Sequence, residues 1–166
     1  NSLGGNTDAY VVHFNATGTA LIGATYIGGS LADAANSSTL SPNYGDGNRG
    51  EIFFDTNNDI VVAGSTASTD FPVTAATYQA VAGGGGQDAM FFKLNTTCTN
   101  LIFSTYIGGT GMDAAFSVAK KGNGNWVLCG GSNSPNFPGT AGSATPAPQG
   151  GTDGFVLILN NNANSL

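Results

Sequence analysis

Charge is what this chain has least of. Asp, Glu, Lys and Arg together make up 8% of its 166 residues, against roughly 25% in an ordinary soluble domain. Cations are scarcest: Arg49, Lys93, Lys120 and Lys121 are the whole supply, set against ten acids for a formal net charge of −6. Such a surface repels a phosphate backbone and gains little from anionic lipid, which excludes nucleic acid and argues against membrane partners. Long apolar runs are also missing. No stretch approaches the roughly 18–20 residues that a membrane-spanning helix needs, so no membrane insertion is expected. No charged-then-apolar signal segment opens the chain. The first residue, Asn1, points to a processed or excised piece.

Histidine and cysteine are nearly absent, which limits nucleophilic chemistry. His13 is the only histidine, so any Ser-His-Asp or Cys-His device must use it. No GxSxG elbow is present and neither cysteine has a motif context, so an enzyme is not expected.

What is present is a recurrence. Asp88 to Gly109 reads DAMFFKLNTTCTNLIFSTYIGG, and Asp8 to Gly29 reads DAYVVHFNATGTALIGATYIGG. A third copy starts at Asp153 as DGFVLILNNNANSL. Each copy has an Asp after a Gly-containing run, then a strand-like segment, a polar turn and a second strand-like segment, so the repeat is a β unit. A second hairpin follows within the repeat. EIFFDTNNDIVVAGST, from Glu51, turns at Asp55–Asp59, and SVAKKGNGNWVLCGGS turns at Lys121–Asn125. After each hairpin comes a Phe-Pro pair, Phe71-Pro72 and Phe137-Pro138, where one large ring in a loop-like stretch reads as a plug between sheets. The spacing from Asp8 to Asp88 exceeds that from Asp88 to Asp153, which places an insertion at about residues 30–48. Insertions in repeat arrays map to loops on one face, where contacts with partners tend to be made.

Counting strands gives two within 8–28, four within 51–108 and three within 116–159. Four short antiparallel strands per repeat is the arithmetic of a β-propeller blade. The expected fold is therefore all-β, an incomplete propeller of about two and a quarter repeats in one domain, 1–166. Its parts are the outer strands of one blade (8–29), a full blade (51–109) and a partial blade (114–166), with the insertion loop at 30–48.

The segments GEIFFDTNNDIVVAGSTASTDFP, GGQDAMFFKLN and LIFSTYIGG resemble the bacterial SBBP repeat, a β-propeller repeat. The resemblance spans nearly the whole chain outside 30–48. It implies a structural or binding module of a secreted or cell-surface bacterial protein, with no catalytic signature. The second copy departs from the pattern at Asn136, where Asp precedes Phe-Pro in the first.

Several residues are candidates for something more specific. Asp8, Asp88 and Asp153 recur, and recurrence favours a structural task such as accepting backbone N–H bonds where a strand begins. Calcium is the sharper possibility, because Asp and Asn oxygens in Gly-rich loops suit a hard cation. The candidate ligands are Asp33, Asp46 and Asn48, with Asn43 beside them, although a solvated turn explains them without an ion. Otherwise no cofactor is expected. Tyr26 and Tyr106 recur and read as packing residues. Tyr44 and Trp126 do not recur, which makes them the aromatic candidates for stacking on a sugar. At the position equivalent to His13, Lys93 reads as an outward polar site. Cys98 falls in a turn and Cys129 in a strand, so a bridge between them is not expected, and Cys129 reads as a small buried residue. Candidate partners are a protein or glycan at the cell surface, the remainder of a longer chain, or further copies of this one. The functional alternatives to a loop-presenting scaffold are a carbohydrate-binding propeller and a self-assembling extracellular filament subunit.

Overall fold

The computed structural model describes residues 4–41 and 44–166, without the side chain of Tyr44. Among the described residues nine strands form three antiparallel sheets. The first pairs β1 (Ala9–Phe14) with β2 (Leu21–Ile27). The second runs in the order β3 (Glu51–Phe54), β4 (Ile60–Thr66), β5 (Asp88–Leu94), β6 (Leu101–Ile107). The third runs β7 (Asp113–Lys120), β8 (Trp126–Ser132), β9 (Asp153–Leu159). The described residues contain no α-helix, only a 3-10 turn at Tyr44–Asn48. The expected all-β class and the grouping of strands into two, four and three are as observed. The three sheets close no ring among the described residues.

The repeated polar turns are built alike. Asn15, Asn95 and Asn160 each donate their backbone N–H across the turn, to Ala20, Asn100 and Ser165. Each also accepts, through Oδ1, the N–H four residues on, from Thr19, Thr99 and Asn164. The position three after each Asn takes a left-handed backbone, with φ of 69° at Gly18, 56° at Cys98 and 53° at Ala163. The side-chain amide thus does what a hairpin turn needs, and it tolerates a non-glycine residue in that left-handed position.

Alternation along the strands produces two apolar faces per sheet. All seven residues of β5 are buried, because the middle sheet has a neighbour on each side. One cluster joins the first and second sheets through Ala9, Val11 and Ile27 against Met90, Phe92 and Tyr106. The other joins the second and third through Ala89, Phe91 and Ile107 against Trp126, Leu128 and Leu157. Phe71 sits in the first cluster, edge-on to Tyr106 at 6.1 Å, and its backbone N–H donates to the Tyr106 hydroxyl at 2.8 Å. It fills the plug role read from the sequence. Phe137 is only half-buried and stacks on Phe155 at 4.4 Å.

Four expectations are corrected. Lys93 does not face outward. It is buried, and its ammonium donates to Asp55 at 2.6 Å and lies 2.9 Å from Asp59, because antiparallel register sets β5 beside the turn that ends β3. Cys129 is exposed, and Cys98 is the buried one; both are free thiols. Tyr26 does not pack like Tyr106. The Tyr106 hydroxyl is held by Ser68 and Phe71 within the core, whereas Tyr26 is exposed. The insertion at 30–48 is only partly a free loop. It bridges Asp33 to Thr66 and buries Leu40. The N–H of Ser37 donates to the Gln87 side chain at 2.6 Å, so the insertion straps the sheets before it reaches solvent.

Candidate functional site

The polar residues of this fold converge where the Thr-Tyr-Ile-Gly-Gly segments end, and they do so twice. In the middle sheet Asp88 accepts the N–H of Gly83 at 3.0 Å and of Gly84 at 3.5 Å. Asp8 does the same for Gly4 and Gly5, and Asp153 for Gln149 and Gly150. A second set of acids faces the first. Asp33 accepts the N–H of Gly29 at 2.8 Å and the hydroxyl of Ser68 at 3.0 Å. Asp113 accepts Gly109 N–H at 2.8 Å and Ser134 hydroxyl at 2.7 Å. Thr66 adds a short hydrogen bond to Asp33. The two serines in turn accept Leu31 and Gly111 backbone N–H groups. One step further out, Asp70 accepts from Ser30 N–H and hydroxyl, and Asn136 accepts from Thr110 N–H and hydroxyl. The Asp-to-Asn departure is explained: the position needs one acceptor oxygen, which an amide supplies as well as a carboxylate.

Sequence reasoning missed Asp113 and took Asp33 for a candidate calcium ligand. The signal for this second set was present, since Asp33 and Asp113 each stand four residues after the last Gly of TYIGG.

The electrostatics follow from burial. Gly28 lies between Asp8 and Asp33, and Gly108 between Asp88 and Asp113; a methyl group at either glycine would collide with both carboxylates. Asp88 and Asp113 are both buried, and one oxygen of each, Oδ1, receives no hydrogen bond from the described residues. Burial pushes the Asp88 carboxyl up to about 6, opposed by the Gly84 and Gly83 N–H groups and reinforced by the Asp113 charge. Burial likewise raises Asp33, against its bonds from Thr66, Gly29 and Ser68. Raised carboxyls are what general acids need. Asp88, however, is 2% exposed. We expect Gly108→Ala to lower the unfolding free energy by about 2 kcal/mol or more, as overpacking of a filled site does. At Gly122, where an added methyl meets nothing within 4 Å, the same change should stay within about 0.5 kcal/mol. Paired denaturant melts decide it; equal effects would mean that the carboxylates move aside freely.

Two of the calcium candidates come to one cleft. Asp33 and Asn48 border one cleft of about 440 Å3 between the first and second sheets, but the Asp33 carboxylate is turned to Thr66, Ser68 and Gly29. Asp46 lies 3.4 Å from the Arg49 guanidinium. Among the described residues no three His, Cys, Asp or Glu side chains are grouped as a metal centre would require. Asn43 and the Tyr44 side chain lie outside the described residues. Trp126 is corrected outright: it is 0% exposed, its rings at 5.7 Å from Phe91 and 6.2 Å from Phe103, and its indole N–H donates to the Asn161 carbonyl at 3.0 Å. The Lys120 ammonium lies 4.3 Å from the ring centroid, where a sugar would have to stack. His13 is half-buried. Its Nδ1 lies 2.8 Å from the Thr96 carbonyl and its ring packs on Phe54.

No helix among the described residues is long and apolar enough to cross a membrane. Compared with known proteins, the chain matches no family model and no curated sequence.

Proposed function

We propose that the chain is a non-enzymatic scaffold, built from blade-like sheets of an incomplete β-propeller in the manner of the SBBP repeat. It would belong to a secreted or cell-surface bacterial protein and hold loops towards a protein or glycan partner. The observation that carries this reading is where the polar side chains go. The recurring acids, amides and hydroxyls take backbone N–H groups at the sheet ends, so the residues that chemistry would use are committed to the fold. The scarcity of charge and the abundance of amides and hydroxyls suit an extracellular surface. The exposed part of the insertion, with Ser38, Thr39 and Asn48, offers a contact surface on a rigid base.

A panel of chromogenic esters, phosphomonoesters and glycosides tests the absence of catalysis. The expected result is turnover no faster than buffer. Turnover that disappears in His13→Ala, with folding intact, would overturn the reading.

A further inference from the structure

We propose that the two outermost sheet faces of the molecule are a matched pair, and that the β1–β2 face of one chain docks head-to-tail on the β9 face of a second copy. The inference rests on the stacked-sheet reading above.

Within the molecule one kind of sheet contact is made twice, with the same polarity. Strands β1, β5 and β9 are equivalent in the repeat, so Ala9 and Val11 correspond to Ala89 and Phe91. Those positions of the first sheet pack onto Met90 and Phe92 of the second. The same positions of the second pack onto Leu157 and Leu159 of the third. Counted in steps from the Asp that opens each copy, each contact thus joins the odd positions of one sheet to the even positions of the next.

Applied to the ends of the array, this rule leaves two faces over. The counterparts of Met90, Phe92 and Leu94 on β1 are Tyr10, Val12 and Phe14, and all three are exposed, Tyr10 at 72%. Register adds the exposed Tyr26 opposite Tyr10 and Leu21 opposite Phe14, so the apolar surface is continuous rather than scattered. The counterparts of Phe91 and Lys93 on β9 are Val156 and Ile158, exposed at 74% and 42%. Cys129 faces solvent beside Val156, its register partner on β8. The face on β1–β2 is of the kind that receives a neighbour, and the face on β9 is of the kind that is received. The named residues of both patches are uncharged, so a net charge of −6 on each copy places no like charge at the centre of the contact. Because the two faces differ, the contact is heterologous, and it either closes a ring or propagates.

Sedimentation velocity on the 166-residue chain, from low to high micromolar, tests this with two variants, Tyr10→Glu/Phe14→Glu and Val156→Glu. The wild type should show assemblies that grow with concentration. Each variant alone should sediment as a monomer, its association weakened at least about thirtyfold, as for loss of a central hot spot. An equimolar mixture of the two retains one good face of each kind and should form a 1:1 dimer that grows no further. Circular dichroism checks that both variants keep the wild-type sheet signal; if one does not, Tyr26→Glu or Ile158→Lys replaces it. A wild type that stays monomeric throughout overturns the docking, and so does a Val156→Glu variant that dimerises by itself, since that contact would join like faces. The scaffold reading is judged separately. A monomer without turnover leaves it standing, and His13-dependent turnover removes it whatever the assembly state.

Discussion

Lys93→Met should lower the unfolding free energy by up to about 3–5 kcal/mol, the cost of taking the nearer cation from a buried charge. The Asp55 side chain is 1% exposed, and its carboxylate sits 2.6 Å from Lys93 Nζ and 3.6 Å from Lys120 Nζ. Burial works against ionisation of Asp55, but the Lys93 hydrogen bond and the Asn57 and Asp59 N–H groups outweigh it and hold the carboxyl below its usual range. Burial also opposes the Lys93 charge, and the bonds to Asp55 and Asp59 overcome it, so the ammonium is held above its ordinary value. The signs define a window. Asp55 contributes stability above its unfolded value of about 3.9, lost as pH falls through the depressed folded value. Lys93 contributes below its unfolded value of about 10.4, lost as pH rises through the raised folded one. Adding Asp55→Asn to Lys93→Met should restore a large part of the loss, because the uncompensated charge goes with it. Urea melts at neutral pH read all three. A loss under about 1 kcal/mol in the single variant would place this pair among solvent-screened surface bridges.

Asp88→Asn should do the opposite and stabilise the protein near pH 7.5, by about 1–2 kcal/mol. The Asp88 carboxyl is raised to about 6, above an unfolded value of about 3.9. A raised acid contributes stability that is complete below the unfolded value and disappears as pH climbs through the folded one. A shift of that size corresponds to at most about 3 kcal/mol. In the wild type, stability should therefore decline between roughly pH 4 and 7 by an amount that is missing in the variant. The amide keeps an oxygen for the Gly83 and Gly84 N–H groups. Identical pH profiles for the two proteins would mean that Asp88 is hydrated and ordinary.

The repeat made the scaffold legible. Recurrence of Asp8, Asp88 and Asp153 pointed to a backbone task that the structure displays, and the polar turns at Asn15, Asn95 and Asn160 share one bonding pattern. The same logic misled in reverse at Trp126. Non-recurrence was taken as freedom to bind, but each sheet-to-sheet contact is filled with its own side chains. The β5 position that holds Phe91 holds Val11 in β1, and Trp126 completes the larger filling. Lys93 was opaque for another reason. Its partners Asp55 and Asp59 become neighbours only through the β3–β4–β5 register, which periodicity does not specify. Leu40 was hidden inside an insertion whose composition reads as loop.

The central claim is that the recurring acids are structural and hold backbone rather than substrate. Native-state hydrogen exchange of the Gly29 and Gly109 amides, donors to Asp33 and Asp113, tests it most directly. The account predicts that both exchange only through opening that approaches global unfolding, and that Asp113→Ala frees the Gly109 amide to exchange locally. Exchange of both amides at peptide-like rates in the intact protein would contradict it, because the carboxylates would then be unengaged and open to chemistry.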